Sequence, residues 1–242
     1  MEYRESLRDR LTVIHRRDAV GTTTDALLLA AFLPRTSGEA CELGAGGGIV
    51  SLLAASRGRF AHADLVERDE TLVGLCRRNI EENGMQALLC AHHADLREFD
   101  PGRRYSLVFF NPPYFRANEG RPAASPLADV CRFERAGGIA DFCRAAARLL
   151  APRGSLATVF PVRRRDELLV ALEGPGLFPT EEVTILPYPG GTPKLLLLRA
   201  EAEPTSCRQS HLTLCRAADD PRPTDEAAAI YEAGSLPRKE TP

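Results

Sequence analysis

The stretch ACELGAGGGIVSLLAASR, residues 40–57, runs a short apolar strand into a glycine cluster and then directly into a helix that stops at Gly58. Glycines at 44, 46 and 48 let the backbone turn tightly and approach a ligand at van der Waals distance. Strand, glycine loop and helix in immediate succession open a nucleotide-type α/β unit. Downstream, ADLVE (63–67) is a second strand, and Asp69 caps a helix whose Leu72, Leu75, Cys76 and Ile80 share one face, with Gly84 as its stop. ALLCA (87–91) and YSLVFF (105–110) are two more strands, the latter followed at once by Asn111-Pro112-Pro113-Tyr114. After a loose stretch from Phe115 to about Gly138, DFCRAAARLL reads as a helix ended by Pro152 and Gly154. SLATVF is a fifth strand and RDELLVALE a further helix, and EEVTILPY and KLLLLRA flank the turn PGGTP as a hairpin. Upstream, Thr24-Asp25 caps the helix DALLLAAFL, which Pro34 stops. The tally predicts an α/β, Rossmann-like, doubly wound and mostly parallel sheet with an antiparallel C-terminal hairpin.

Composition excludes several classes. The 242 residues suit one compact domain, and 44% hydrophobic with 26% charged residues is an ordinary soluble balance. The opening MEYRESLRDR is charged where a leader peptide needs an apolar core, and the early apolar run 26–33 is too short to cross a bilayer. A cytoplasmic protein is therefore expected, with no membrane partner. Basic residues number 31 against 33 acidic, a net of −2, which excludes a protein that coats nucleic acid non-specifically. Only Lys194 and Lys239 are lysines; the remaining 29 cations are arginines, a bias read mainly as a property of the coding sequence. Seven cysteines without a CxxC pair indicate neither a disulfide framework nor a zinc knuckle. His92 and His93 are strand neighbours and point to opposite faces, so no metal site is assigned.

In a sheet of this kind ligands sit beyond the carboxyl ends of the strands, and the unusual residues fall there. Glu42 stands two residues before Gly44, Gly46 and Gly48. Glu67 closes the second strand, where a carboxylate accepts both hydrogen bonds of a ribose diol. Asp95 follows the third strand and can accept from an adenine amine or act as a plain turn cap. Asn111-Pro112-Pro113-Tyr114 is the most specific element. Two prolines fix two φ angles and remove two N–H donors, leaving carbonyls and the Asn amide to face a ligand. A conjugated amine is a poor nucleophile because its lone pair is delocalised. If the Asn111 oxygen and the Pro112 carbonyl each accept one amine hydrogen at about 3 Å, the nitrogen is drawn towards sp³ geometry. Tyr114 would stack on the base, and with tryptophan absent the stacking falls on Tyr114 and Phe115.

In order and spacing, ELGAGGG, LVERD, HADL and NPPYF resemble the class I S-adenosylmethionine-dependent amino methyltransferases. VGTTTDALLLAAFLP is similar to the segment before the glycine loop in the tRNA(Val) adenine-N6 methyltransferase (TrmN-like) family, and CRFER, AAARLLAPRGSL and TDEAAAIY sit where that family has counterparts. The resemblance covers roughly residues 10–200. It implies S-adenosylmethionine as cofactor, with Gly44, Gly46 and Gly48 on its methionine and ribose side. Glu67 takes the ribose hydroxyls, Asp95 the adenine, and Thr24 and Asp25 close over the cofactor. Asn111, Pro112 and Tyr114 hold the target amine, and the substrate implied is adenine N6 in tRNA, at position 37 of tRNA(Val). Thr23 and Thr24 depart from the family's Asp-Gly type pairing, no tryptophan follows in the helix, and Arg153 replaces the first glycine of a turn; these departures leave the RNA target open.

The resulting expectations are an N-terminal extension with a cap helix (1–38), a class I methyltransferase domain (39–202) and a short C-terminal tail (203–242). RNA would be engaged locally, by Arg116, Arg121, Arg132 and Arg135 around the pocket, nearly balanced by Glu119, Asp129 and Glu134. Arg163-Arg164-Arg165 reads as a solvated helix start more than as an RNA track. The motif serves any planar amine, so guanine N2 in rRNA, a protein glutamine amide and a non-catalytic nucleotide-binding module stay open. No oligomeric state follows from the sequence.

Overall fold

The computed structural model describes residues 1–7, 11–19, 21–114, 127 and 137–233. Phe115, Cys131, the CRFER segment, Arg116, Arg121, Arg132, Arg135, Glu119, Asp129 and Glu134 lie outside the described residues. The chain begins with an antiparallel hairpin, β1 (Glu2–Ser6) and β2 (Thr12–Arg16), in the region the sequence reads as an extension. Helix α1 (Thr24–Phe32) follows. Its N-cap is Thr23, not the expected Thr24-Asp25 pair, for the Thr23 hydroxyl accepts from the Ala26 N–H at 3.4 Å. Leu28 to Leu33 are all buried, which makes it an interior helix, and Leu33 turns to extended geometry (ψ 132°) because Pro34 disfavours a helical predecessor.

Alternation then follows the expected order: β3 (Glu39–Leu43), α2 (Ile49–Ser56), β4 (His62–Glu67), α3 (Glu70–Glu82), β5 (Leu89–His93) and β6 (Tyr105–Phe110). Asp69 caps α3 through the Leu72 N–H at 3.0 Å. β5 starts two residues later than ALLCA suggests, since the Leu88 and Leu89 N–H groups both donate to the Met85 carbonyl and the chain is still turning there. Beyond the loop come α4 (Ile139–Leu149), β7 (Leu150–Pro161), a 3₁₀ turn (Val162–Arg164), α5 (Arg165–Glu173), β8 (Phe178–Leu186), β9 (Leu195–Glu201), β10 (Arg208–Thr213) and α6 (Asp225–Ala233). α4 ends at Leu149, before Pro152 and Gly154, because Leu150 already pairs with Tyr105 in the sheet. Arg153, the position that departs from the family's glycine, holds φ +62°, a left-handed conformation costing a non-glycine residue about 1–2 kcal/mol.

Among the described residues the sheet has eight strands in the order β10-β8-β9-β7-β6-β3-β4-β5, and of these only β9 runs antiparallel to its neighbours. The expected hairpin is therefore present, but its second strand is interior, and β10 adds a strand from what the sequence reads as tail. One face carries α1, α2, α3 and α6 over a core that includes Phe60 and Phe109; on the other, α4, with its own Phe142, and α5 pack over Phe110 and Phe160. At the β4–β5 side, buried Asp64 accepts from His92 at 2.7 Å and from Tyr105 and Arg103. Burial alone would raise its pKa, but these three hydrogen bonds win and hold Asp64 well below the usual carboxylate range. Cys90 completes a cluster whose ligand atoms lie within 4.8 Å, yet a guanidinium on the same carboxylate makes it an ion-pair network, not a seat for a cation. His93 bonds separately, to the Arg68 carbonyl at 3.0 Å. Among the described residues no helix is long and apolar enough to cross a membrane.

Candidate active site

The strand order reverses between β3 and β6, and at such a switch point the loops leaving the carboxyl ends part and open a crevice. A cavity of about 200 Å³ lies there. Of the residues singled out in the sequence, Glu42, Gly44, Gly46, Glu67, Asp95, Asn111 and Pro113 border it; Thr24, Asp25, Gly48, Pro112 and Tyr114 are not among its walls.

The glycine loop is built from left-handed turns, with φ +67° at Gly44, +55° at Gly46 and +80° at Gly48. The N–H groups of Gly44 and Ala45 both donate to the Val66 carbonyl, at 2.8 and 3.1 Å, which fastens the loop to the end of β4. A Cβ on Gly46 would meet nothing within 4 Å, so this position opens into the cavity. A Cβ on Gly48 would lie 2.7 Å from the Cys76 sulfur, so Gly48 lets the end of the loop run close against α3.

Glu67 accepts the Gly46 N–H on one oxygen and the Asp69 N–H on the other, each at 2.9 Å. The Arg68 N–H adds a third backbone bond, which leaves the carboxylate about one accepting position for a ribose hydroxyl. Burial pushes the Glu67 pKa up. Asp95 is different: both of its oxygens are taken by the Arg97 guanidinium at 2.9 and 2.5 Å, and the Arg97 N–H closes an Asx turn at 3.0 Å. The hydrogen bonds from Arg97 hold its pKa down. The geometry matches the turn-cap reading, while Ala94 and Leu96 beside it supply apolar wall.

Glu42 is buried and accepts from both the hydroxyl and the N–H of Ser51, in the first turn of α2. Burial raises its pKa to about 8, against the opposing Ser51 bonds and with help from the charge of Glu67. The folded protein thus holds a proton on Glu42 between the ordinary carboxylate range and pH 8 that the unfolded chain releases. Stability due to this group falls as pH rises through that window. Glu42→Gln is expected to flatten the fall in melting temperature between pH 5 and pH 8; an unchanged slope in thermal scans would refute the assignment.

Asn111 leaves β6 at the cavity mouth, and its Oδ1 accepts the Tyr114 hydroxyl at 2.8 Å. Tyr114 stands edge-on to Phe160, with ring centroids 6.4 Å apart. Burial and the neighbouring negative charge of Asp25 push the Tyr114 phenol well above its usual range. Asp25 therefore faces the NPPY turn, and Thr24 is exposed.

Three features were not read from the sequence. The hairpin supplies a wall, through Ile14 and His15, and His15 is fixed by Glu5 at 2.8 Å, which also takes the Thr22 hydroxyl at 2.7 Å. The β-branched run Thr12-Val13-Ile14 was the available signal. Arg164, expected on a solvated face, is buried: it covers the Phe160 ring, pairs with Glu167 at 3.0 Å and donates to the Tyr114 carbonyl at 3.1 Å. It thereby fixes the far end of the NPPY turn. Asn79, also a wall residue, sits as an amide among the apolar positions of α3.

Residues 15–167 match the methyltransferase small domain family. A Parabacteroides distasonis protein named tRNA1(Val) (adenine(37)-N6)-methyltransferase is 30% identical over 212 residues, 85% of this chain and 87% of that one. A Tolumonas auensis protein of the same name is 30% identical over 204 residues, 82% of this chain and 83% of its own length. Among solved structures, one described as a predicted O-methyltransferase from Agrobacterium tumefaciens superposes with a TM-score of 0.68 at 19% identity, covering 90% of this chain and all of that one.

Proposed function

The chain belongs to the methyltransferase small domain family, and from that premise we propose that it transfers a methyl group from S-adenosylmethionine to the N6 amine of an adenine in tRNA. The observation that carries the proposal is the convergence of Asn111, the Gly44–Gly46 backbone and Glu67 on one cavity at the switch point of the sheet. The cavity fits the cofactor chemically. Glu67 stands on the cavity wall as an acceptor for a ribose hydroxyl, Gly46 leaves space beside it, and Leu72, Leu96 and Val66 offer apolar surface for a purine. S-adenosylmethionine, when bound, supplies an electrophilic methyl group.

The remaining chemistry belongs to the chain. Asn111 Oδ1 and the carbonyl of Pro112 accept the two hydrogens of the adenine amine and draw its lone pair out of conjugation. The two prolines keep those acceptors fixed without competing N–H groups. Arg164 holds the turn from behind, and Tyr114 offers its ring to the base. No strong general base is required, because the amine proton becomes acidic only once the nitrogen carries positive charge. Such an enzyme would work in the cytoplasm on a base withdrawn from its stack, which needs a few arginines near the pocket and not a basic surface.

The test is to incubate the purified chain with tritiated S-adenosylmethionine and, separately, total tRNA, rRNA and protein. Label recovered as N6-methyladenosine from tRNA is expected. Label in guanine N2 or in glutamine would replace this reading with another acceptor, and no label in any pool would sink it.

A further inference from the structure

Asn79 lies on the enclosed side of α3 with 0% of its surface exposed. Its Oδ1 accepts the Ile14 N–H at 2.7 Å, while its Nδ2 donates to the Ile14 carbonyl at 3.2 Å and to the Gly47 carbonyl at 3.0 Å. One turn later Asn83 treats Thr12 in the same way, accepting its N–H at 2.9 Å and donating to its carbonyl at 2.8 Å. Within the hairpin, Leu11 and Arg17 bond back towards β1 (Leu7 N–H to Leu11 O, Arg17 N–H to Met1 O), so the even positions of β2 present their backbone outward, to α3. Four helical residues rise about 6 Å and two strand residues about 6.8 Å, which lets two asparagines four apart serve two strand residues two apart. The helix thereby closes the open edge of the hairpin in place of a third strand. Asn83 stays with the hairpin and its own helix, through the Asn79 carbonyl at 2.7 Å. Asn79 reaches further, into the glycine loop.

We propose that Asn79 is a positioning residue for cofactor binding, which locks the N-terminal hairpin to the glycine loop so that the cavity walls they form hold one spacing. Ile14 and Gly47, its two backbone partners, both border the cavity. Three backbone atoms converge on the side chain, one donor and two acceptors, and an amide meets all three; a carboxylate of the same shape meets only the donor and sets a charge against two carbonyls. The inference rests on reading the cavity as the S-adenosyl site.

The experiment compares Asn79→Asp with Asn83→Asp. By calorimetry with S-adenosylhomocysteine, Asn79→Asp is expected to bind about 30-fold more weakly than the natural chain and Asn83→Asp within about threefold, a difference inside the ordinary range of coupling between sites. In hydrogen exchange on the ligand-free proteins, Asn79→Asp speeds exchange in both β2 and Gly46–Gly48, and Asn83→Asp in β2 alone. Equal affinity losses in the two variants, or an Asn79→Asp protein that binds normally, overturn the clamp. If the natural chain itself does not bind S-adenosylhomocysteine, the reading of the cavity fails instead, and the exchange patterns still decide whether Asn79 joins hairpin to loop. Should Asn79→Asp not fold, Asn79→Ser must reproduce its pattern.

Discussion

Asn111→Ala is expected to lower the turnover number on methyl-acceptor tRNA by about 1000-fold, in line with the loss of one preorganised polar group at a reacting centre. Affinity for S-adenosylhomocysteine should change by less than about threefold, since no hydrogen bond of the glycine loop or of Glu67 passes through Asn111. The substitution removes the acceptor proposed to redirect the amine lone pair and leaves the β6 backbone in place. It also removes one acceptor of the Tyr114 hydroxyl, which keeps the Asp25 carboxylate beside it. A rate within tenfold of the natural chain, in single-turnover assays at saturating cofactor, would remove Asn111 from the chemistry.

The second large effect is expected at Gly46. A β-branched residue there must adopt φ +55°, and its side chain would project into open cavity. Valine thus adds local strain and occupies volume that a ligand needs, so affinity for S-adenosylhomocysteine should fall by about 1000-fold or more. Gly48→Ala separates the two roles of the loop. Its added methyl meets Cys76 and Leu65 away from the cavity, so it should lower the melting temperature and spare affinity in whatever fraction stays folded. Calorimetric binding of Gly46→Val at the natural affinity would refute the placement of the loop.

The fold was largely legible because its elements are punctuated. Glycines after β3, Asp69 before α3 and Pro34 after α1 each state a local conformation that no other part of the chain contradicts. What escaped depends on partners distant in sequence. β10 has four exposed residues among its six and is a strand because β8 offers it an edge. The cluster of arginines at 163–165 looks uniformly solvated, yet Arg164 is interior because Phe160, Glu167 and the Tyr114 carbonyl surround it. In the site, Gly46 and Glu67 were readable from position alone. The Arg97 guanidinium that occupies Asp95 was not, since a residue two places on gives no sign of where its side chain will turn.

The bond between Tyr114 and Asn111 has a consequence for selection. On the proposed reading the hydroxyl takes up one of the two lone pairs of an oxygen that an incoming amine would use, so the chain carries an internal rival to its own substrate. A base that displaces the hydroxyl would exchange one donor on Asn111 for another, with the Asp25 carboxylate left to receive the hydroxyl. A base with an exocyclic N–H can complete that exchange, whereas one bearing only a carbonyl or a methyl at that edge has nothing to trade and leaves the rival seated. Discrimination of this kind costs affinity for the right base and more for the wrong one, so it sharpens choice without a larger contact surface.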